Sequence, residues 1–526
     1  MQRGPDRPDA GAVTHPGFGV APADGSGLGR RRFLALCAGA GLATAAACTA
    51  APSGPGSRPR PESERDAPGT TAWRLGPTGP PDAVSGYPDR VSVPPGESFG
   101  LCVSTTAAAF RVSAFRIGWY GGAGARRIWA SGRTPGRARA APRVLAATRT
   151  VCADWPVTLP VDTTGWPEGA YLLRLEADTG HQRYIPFVVR STDGTGRTVL
   201  LHAPATWQAY NRWGGASLYT GADGGYAGRS LAVSFDRPYD GSGAEKFLTY
   251  ERALVVLAER LGIPLAYSTG TDVHRDPEVL RGAHALVCLG HDEYWTPEQR
   301  AHVTAARDAG VNIAFLGANT CFRRVRLEPG TGAMDRTVVC YKSDYRADPS
   351  YPSAPAQVTT DYRLPPGADP ESALTGVLYE GYPVDAPYVV RAPGHWAYEG
   401  TGVRAGDGFA HLVGVEYDRV TPGAPTPGPL EITAHSPLVC AGRPSHSDSA
   451  YYTTPAGAGV LATGTMRWVE GLLAGTGELG RDHGMDARTR AFVTRTTENV
   501  LRMFARGPAA RHAPPPDANT RAVYGG

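Results

Sequence analysis

The chain has 526 residues, 41% of them hydrophobic, and a formal net charge of +4 at pH 7. These values are typical of a globular protein with more than one domain. The net charge is too small for this length to suggest nucleic acid or an anionic membrane as a partner. Lys occurs only at positions 246 and 342, so nearly all of the positive charge is Arg.

The first 48 residues have the pattern of an export signal. Arg30-Arg31-Arg32 precedes an apolar stretch of small side chains over residues 33–47. The arginines followed by Phe-Leu predict the twin-arginine route, with an ordinary secretory signal as the alternative. Cys48 follows three alanines and precedes a Pro- and Ser-rich stretch, which predicts a lipoprotein cleavage site with a lipid on Cys48. We therefore expect an exported protein, secreted or lipid-anchored at the outer face of the cell membrane, with a disordered linker over 49–71.

The cysteines of the mature region have two expected pairings. Because an exported protein can form disulfides, Cys102 could pair with Cys152, and Cys321 with Cys340. Cys288 lies within an apolar run and is expected to be a buried free thiol. The chain has no Cys-x-x-Cys pair, which argues against a structural zinc site.

Residues 72–192 predict an all-β, immunoglobulin-like sandwich. Short alternating or apolar runs over 114–120, 170–175 and 182–189 are separated by Gly- and Pro-containing turns. This segment is interpreted as a structural or binding module.

Residues 193–510 predict an α/β domain with a mostly parallel sheet and helices on both faces, followed by a C-terminal tail over 511–526. The domain prediction rests on apolar strand-like runs that alternate with helix-like segments. The expected strands are 198–202, 263–268, 283–289, 311–317 and 411–418, and the expected helices are 245–261, 297–309, 458–474 and 487–505.

The expected strand that ends at Gly290 leads directly into His291-Asp292-Glu293. Ligands of open α/β sheets bind outside the carboxyl ends of the strands. There is no G-x-S-x-G elbow and no Cys at this turn, so a Ser or Cys nucleophile is poorly supported. His291 could act as a general base and Glu293 as a hard metal ligand. The alternative is that both are structural groups at the start of the next helix, where Thr296 is the expected N-cap.

A second strand end leads toward Tyr210. In a parallel sheet, the loop after residues 198–202 opens on the same edge as the turn at Gly290, so Tyr210 could approach Glu293. Phenolate and carboxylate oxygens together suit a hard trivalent metal such as ferric iron. The alternative for Tyr210, and for Tyr239 in its own loop, is an aromatic pocket wall.

Several aromatic-rich segments between about residues 90 and 510 resemble the family of the large (beta) subunit of N,N-dimethylformamidase. The matching segments are FRIGWYGG (115–122), AYNRWGGASLY (209–219), VSFDRPY (233–239), GHDEYW (290–295), AFLGANTCFRRVR (314–326), CYK (340–342), PESALTGVLY (370–379), VGVEYD (413–418) and residues 451–468.

The resemblance implies a catalytic domain similar to class I glutamine amidotransferases, without their Cys. It also implies a mononuclear ferric ion, Fe(III), held by two Tyr and one Glu. Carried over to this sequence, Glu293 is the Glu ligand and Tyr210 the first Tyr ligand. Tyr239 is the second, with Tyr250 behind it.

The implied reaction is metal-assisted hydrolysis of the C–N bond of a small amide. His291 and Glu416 are then the catalytic residues that handle protons. The dimethylformamidase works with a separate small subunit and in the cytoplasm, whereas this chain carries an export signal. The alternative is a catalytically inactive extracellular protein that binds a carbohydrate or cell-wall ligand. Homo-oligomerisation stays open.

Overall fold

The computed structural model describes residues 64–330, 334–477 and 483–525, which form one compact unit. The predicted export signal, the lipid site at Cys48 and most of the predicted linker lie outside these residues. None of the described helices is long and apolar enough to cross a membrane.

Residues 84–189 contain eleven strands in three sheets. One sheet has the order β1-β3-β9, a second has the order β2-β11-β10-β4-β5 with β6 beside β4, and β7 and β8 form a hairpin. All pairings are antiparallel except that of β2 with β11. The strands are β1 (Val84–Pro88), β2 (Ser92–Val93), β3 (Ser98–Thr105), β4 (Ala109–Ile117), β5 (Ala125–Ala130), β6 (Thr134–Pro135), β7 (Arg143–Leu145), β8 (Thr150–Cys152), β9 (Leu159–Asp162), β10 (Gly169–Ala177) and β11 (Gln182–Val189).

Strand β10 is apolar on both faces because both faces are covered. Tyr171, Leu173 and Leu175 point into the core shared with the β1-β3-β9 sheet. The alternate residues Ala170 and Leu172 join the main core of the rest of the chain. This two-sided burial is the reason that the sequence over 170–175 does not alternate between polar and apolar residues.

The described residues after β11 contain fourteen strands and nine α-helices. The strands are β12 (Thr198–His202), β13 (Ala232–Ser234), β14 (Leu265–Thr269), β15 (Ala285–Cys288), β16 (Tyr294–Trp295), β17 (Asn312–Phe315), β18 (Arg323–Arg324), β19 (Arg326–Glu328), β20 (Thr337–Val339), β21 (Leu378–Val389), β22 (Gly408–Arg419), β23 (Leu430–Cys440), β24 (Arg443–Thr453) and β25 (Gly459–Ala462). The helices in the described part of the chain are α1 (Pro204–Tyr210), α2 (Glu245–Tyr250), α3 (Arg252–Leu261), α4 (Gly270–Arg275), α5 (Pro297–Asp308), α6 (Ser372–Thr375), α7 (Trp468–Gly471), α8 (Ala487–Phe504) and α9 (Thr520–Tyr524).

The largest sheet has seven strands in the order β14-β12-β15-β17-β25-β24-β23. Its first five strands are parallel, with Leu201 of β12 opposite Cys288 of β15, and Cys288 opposite Phe315 of β17. Strands β24 and β23 are antiparallel. Since β12, β15 and β17 run in the same direction, the loops that follow them open on one edge of the sheet.

The predicted fold class, a mostly parallel amidotransferase-like α/β domain after an immunoglobulin-like sandwich, is wrong. Strands hold 31% of the residues and helices 22%, and the described strands form seven sheets that are mostly antiparallel or mixed. The strand–helix alternation holds over 198–317 but not in the rest of the predicted domain. There, β21–β22 and β23–β24 form long antiparallel hairpins, and the second of them joins the large sheet where β24 pairs with β25.

Individual helix predictions have mixed outcomes. Helix α5 begins as predicted, with the Thr296 hydroxyl accepting a hydrogen bond from the Gln299 amide at 3.1 Å, and α8 lies within the predicted 487–505. The single helix predicted over 245–261 is broken at Glu251 into α2 and α3. The helix predicted over 458–474 is wrong, because Val460 to Ala462 form buried strand β25 between β17 and β24.

The predicted disulfides are also wrong. Cys102, Cys152, Cys321 and Cys340 are all free thiols, as is Cys288, whose prediction as a buried free thiol is confirmed.

Candidate active site

Two loops at the carboxyl edge of the large sheet meet at Glu293. Helix α1 follows β12 and ends at Tyr210, while the turn after β15 carries His291 and Glu293. The Thr206 hydroxyl of α1 accepts a hydrogen bond from the Glu293 amide at 3.1 Å, which ties the turn to the helix. Gly290 adopts φ +84°, and a Cβ there would lie 2.6 Å from the Tyr250 carbonyl oxygen, so a glycine is required where the turn passes α2.

Two phenols converge on the buried Glu293 carboxylate. The Tyr210 hydroxyl donates to Glu293 Oε2 at 2.7 Å, and the Tyr219 hydroxyl lies 2.9 Å from both carboxylate oxygens. The two phenol oxygens are also 2.9 Å apart, and their rings stack with centroids 4.4 Å apart. Burial and then the Glu293 charge raise the pKa of each phenol well above its usual value, so both carry their protons in this arrangement.

Cations surround this cluster and keep Glu293 ionised. Arg323 Nε lies 3.4 Å from Glu293 Oε1, and Lys342 Nζ lies 3.3 Å from the centroid of the Tyr219 ring. Burial alone would raise the pKa of Glu293, but His291, Arg323 and Lys342 hold it at about 2. Burial and then the Arg323 charge lower the pKa of Lys342 to about 7. The carboxylate is therefore charged in a place that excludes water.

His291 stands between Glu293 and a second buried carboxylate. Its Nε2 lies 3.4 Å from Glu293 Oε2 and 3.8 Å from Glu416 Oε2. Burial lowers the pKa of His291, which favours the neutral imidazole. Burial, and then the negative charge of Glu293, raise the pKa of Glu416 to about 8. The two groups therefore have the protonation states of a base and an acid near neutral pH.

Asn319 orients Glu416. The Asn319 side-chain amide donates to Glu416 Oε2 at 2.7 Å, and its backbone amide donates to Asp418 Oδ1 at 2.8 Å. Asn319 adopts φ +60°, a left-handed conformation that Asn tolerates better than most residues. Strand β22 thus holds this loop through two carboxylates that are two residues apart.

Of the predicted site residues, the structure brings together Tyr210, His291, Glu293 and Glu416. Tyr239 lies elsewhere, with its ring against Trp207 at a centroid distance of 6.4 Å, and no described contact joins it to Glu293. Cys48 lies outside the described residues.

The predicted alternative for the second Tyr ligand lies nearer. The Tyr250 ring is 5.5 Å from the His291 ring, and Lys246 Nζ lies 5.3 Å from the Tyr250 ring centroid and 3.9 Å from that of Tyr210. Both Lys residues of the chain therefore lie on phenol rings of this site.

Sequence reasoning missed Tyr219, although it ends the matched segment AYNRWGGASLY. Gly214 and Gly215, with φ of +77° and +94°, turn the chain between the two tyrosines and return Tyr219 to the cluster. The brace of this turn is Arg237, whose buried guanidinium donates to the carbonyl oxygens of Gln208, Asn211, Trp213 and Ala216.

The residues present fit a hard metal ion. No group of three or more His, Cys, Asp or Glu suitable for a metal occurs among the described residues. Tyr210, Tyr219 and Glu293 place their oxygens within 2.9 Å of one another, and oxygen donors of this kind suit ferric iron. Neither ring nitrogen of buried His291 has a hydrogen-bond partner within the described part of the chain.

A buried ionised carboxylate with phenols, an imidazole and a protonated second carboxylate makes this cluster a candidate acid–base site, because strongly perturbed pKa values cluster at functional sites. The chain belongs to the family described as N,N-dimethylformamidase beta subunit-like, C-terminal, which it matches over residues 111–482. This match confirms the resemblance carried by the aromatic-rich segments, and every residue of the site lies within it. The family points to a dimethylformamidase-related hydrolase.

No curated protein matches this sequence. Among solved structures, a cycloisomaltooligosaccharide glucanotransferase of Paenibacillus sp., complexed with cycloisomaltoheptaose, aligns with 7% sequence identity and a TM-score of 0.15. The alignment covers 48% of this chain and 33% of that enzyme, so this chain spans about a third of its length.

Proposed function

We propose that this chain is a metal-dependent hydrolase that cleaves the C–N bond of a small amide. The observation that carries the proposal is the convergence of Tyr210, Tyr219 and Glu293, with His291 and Glu416 alongside. Family membership supports the same class of reaction. In this proposal Tyr219 replaces Tyr239 as the second Tyr ligand.

Tyr210, Tyr219 and Glu293 would hold a mononuclear ferric ion. Bound there, the ion supplies a Lewis acid that polarises the amide carbonyl. Arg323 and Lys342 offset the negative charge of a carboxylate with two phenolates, since they lie against Glu293 and Tyr219.

The protein's own groups then move the protons. Neutral His291 accepts a proton from water as the water oxygen bonds to the carbonyl carbon. Protonated Glu416, oriented by Asn319, donates a proton to the amide nitrogen as the C–N bond breaks. The products are a carboxylic acid and an amine, and the proton on His291 returns to Glu416 across the 3.8 Å gap between them.

The test is the metal content and visible spectrum of the purified protein, together with hydrolysis across a panel of formamides and small amides. We expect bound iron and a tyrosinate-to-iron absorption that is lost in Tyr210→Phe, Tyr219→Phe and Glu293→Ala. Tyr239→Phe is the matched control, because this half-buried Tyr packs against Trp207 and has no described contact with Glu293. Folded protein that binds no metal and hydrolyses no amide would refute the proposal in favour of an inactive binding protein.

A further inference from the structure

The chain has a small net charge, but one segment of it is strongly basic. Residues 98–153 contain nine Arg and no Asp or Glu, whereas the whole chain has a net charge of only +4. The rest of the chain is therefore net negative, and four of these arginines pair with its carboxylates: Arg116 with Glu259, Arg126 with Glu64, Arg133 with Asp178 and Arg143 with Asp154. The other five keep the segment positive, and such asymmetry within one chain points to an anionic partner for the basic part. The nine are Arg111, Arg116, Arg126, Arg127, Arg133, Arg137, Arg139, Arg143 and Arg149.

The β7–β8 hairpin within this segment ends in an exposed apolar tip. Val144 is 56% exposed and Leu145 is 37% exposed, and Ala146 and Ala147 that follow are exposed as well. Four consecutive exposed apolar residues are unusual on a soluble surface, where apolar side chains are normally scattered singly. The hairpin is otherwise well anchored, since the Leu231 amide donates to the Thr148 carbonyl at 2.8 Å.

A fifth exposed apolar side chain follows the hairpin in the chain. Val157 is 50% exposed, and its neighbour Thr158 accepts a hydrogen bond from Arg139 at 2.9 Å. Arg139 in turn lies on the extended segment that leads into β7.

The arginines on both sides of the tip leave this surface positive. Arg139 donates to the neutral oxygens of Val103 and Thr158, and Arg149 donates to the carbonyl of Arg229. Arg143 pairs with Asp154 at 2.7 Å. Exposed Arg137 forms no ion pair within the described ranges.

We propose that the β7–β8 hairpin binds the surface of an anionic lipid bilayer. The apolar tip enters the interface between headgroups and acyl chains, and the flanking arginines contact lipid phosphates. Nucleic acid offers the same phosphates but no apolar layer for four adjacent aliphatic side chains, so the tip favours the bilayer. The proposal does not depend on the activity of the amide site.

The experiment measures co-sedimentation of the full chain with vesicles. The chain carries Cys48→Ser so that no lipid is attached, and the vesicles are pure phosphatidylcholine or an equal mixture with phosphatidylglycerol. We expect binding to the mixed vesicles alone, weakened by salt. The double variant Val144→Asp/Leu145→Asp should bind about tenfold or more weakly, because it loses apolar burial and adds repulsion. Val439→Asp, which changes a 63% exposed Val on another hairpin, should bind as the parent does.

Three results would overturn the proposal. The first is no binding to the mixed vesicles, and the second is binding that survives the double change in protein with an unaltered melting curve. The third is a dimer without lipid that the double change dissociates, which would make the hairpin an interface between copies of this chain. The first result, together with binding to duplex DNA that the double change leaves intact, would assign the arginines to nucleic acid.

Discussion

Replacing Glu416 with Gln should make the folded protein more stable at alkaline pH. Folded Glu416 keeps its proton up to a pKa of about 8, whereas an unfolded Glu loses it near 4.5. Between these values the folded state binds more protons, so stability falls as pH rises from about 4.5 through 8. This difference between the folded and unfolded pKa contributes at most about 5 kcal/mol to the free energy of unfolding. The contribution is fully present below pH 4.5 and is lost above pH 8. Gln cannot ionise, and its carbonyl can still accept the hydrogen bond from Asn319.

The assay is urea unfolding of metal-free protein at several pH values from 5 to 9. We expect the free energy of unfolding of Glu416→Gln, relative to that of the parent, to increase by several kcal/mol across this range. Amide hydrolysis should be lost at every pH. Glu278→Gln, a change of a half-exposed surface carboxylate, is the control and should leave the parent's pH dependence unchanged. Parallel curves for Glu416→Gln and the parent would show that Glu416 titrates normally, and would refute the assignment of Glu416 as the acid.

Three other predictions concern the surroundings of the site. Asn319→Ala should lower the melting temperature more than Asn319→Gly, because Ala at φ +60° adds a backbone cost of about 1–2 kcal/mol, and both variants should lose amide hydrolysis; equal melting curves would contradict this. Glu251→Ala should lower the free energy of unfolding by urea by about 3–5 kcal/mol. The change leaves His202 and the Trp207 indole buried without the carboxylate that lies 2.6 and 2.7 Å from them. Glu251→Gln should restore most of the lost free energy. Reducing agent should leave the melting temperature unchanged, and thiol titration of unfolded protein should find every cysteine of residues 64–526 free; a lower thiol count would refute the unpaired state.

The approach of Tyr210 to Glu293 could be predicted because it depends on a local and general rule. Both residues follow parallel strands of one sheet, and neighbouring parallel strands place their carboxyl ends together. Tyr219 could not be predicted in this way, since its position depends on two left-handed glycines and on the Arg237 brace. Neither feature leaves a periodic signal in the sequence.

The prediction of the fold from sequence was wrong where pairing between distant strands determines the structure. The short apolar run at Val460 has no local mark that distinguishes a buried strand from a helix segment. Its partners in the sheet are Ile313 and Tyr452, and the first lies far away in the sequence. Local patterns correctly identified α5 and α8, whose caps lie within a few residues, but they could not identify which strand completes the large sheet.

Strand β25 lies late in the sequence, which has a consequence for how the chain folds during synthesis. Strand β17 ends at Phe315, yet its second neighbour in the sheet begins only at Gly459. Until the ribosome has released that strand, one edge of the nascent sheet stays open, although all five residues of the site have already been translated. Such open edges are where newly made chains aggregate or recruit chaperones. Folding of this protein is therefore expected to be largely post-translational, and fragments that end before residue 459 should contain the whole site without being able to assemble it.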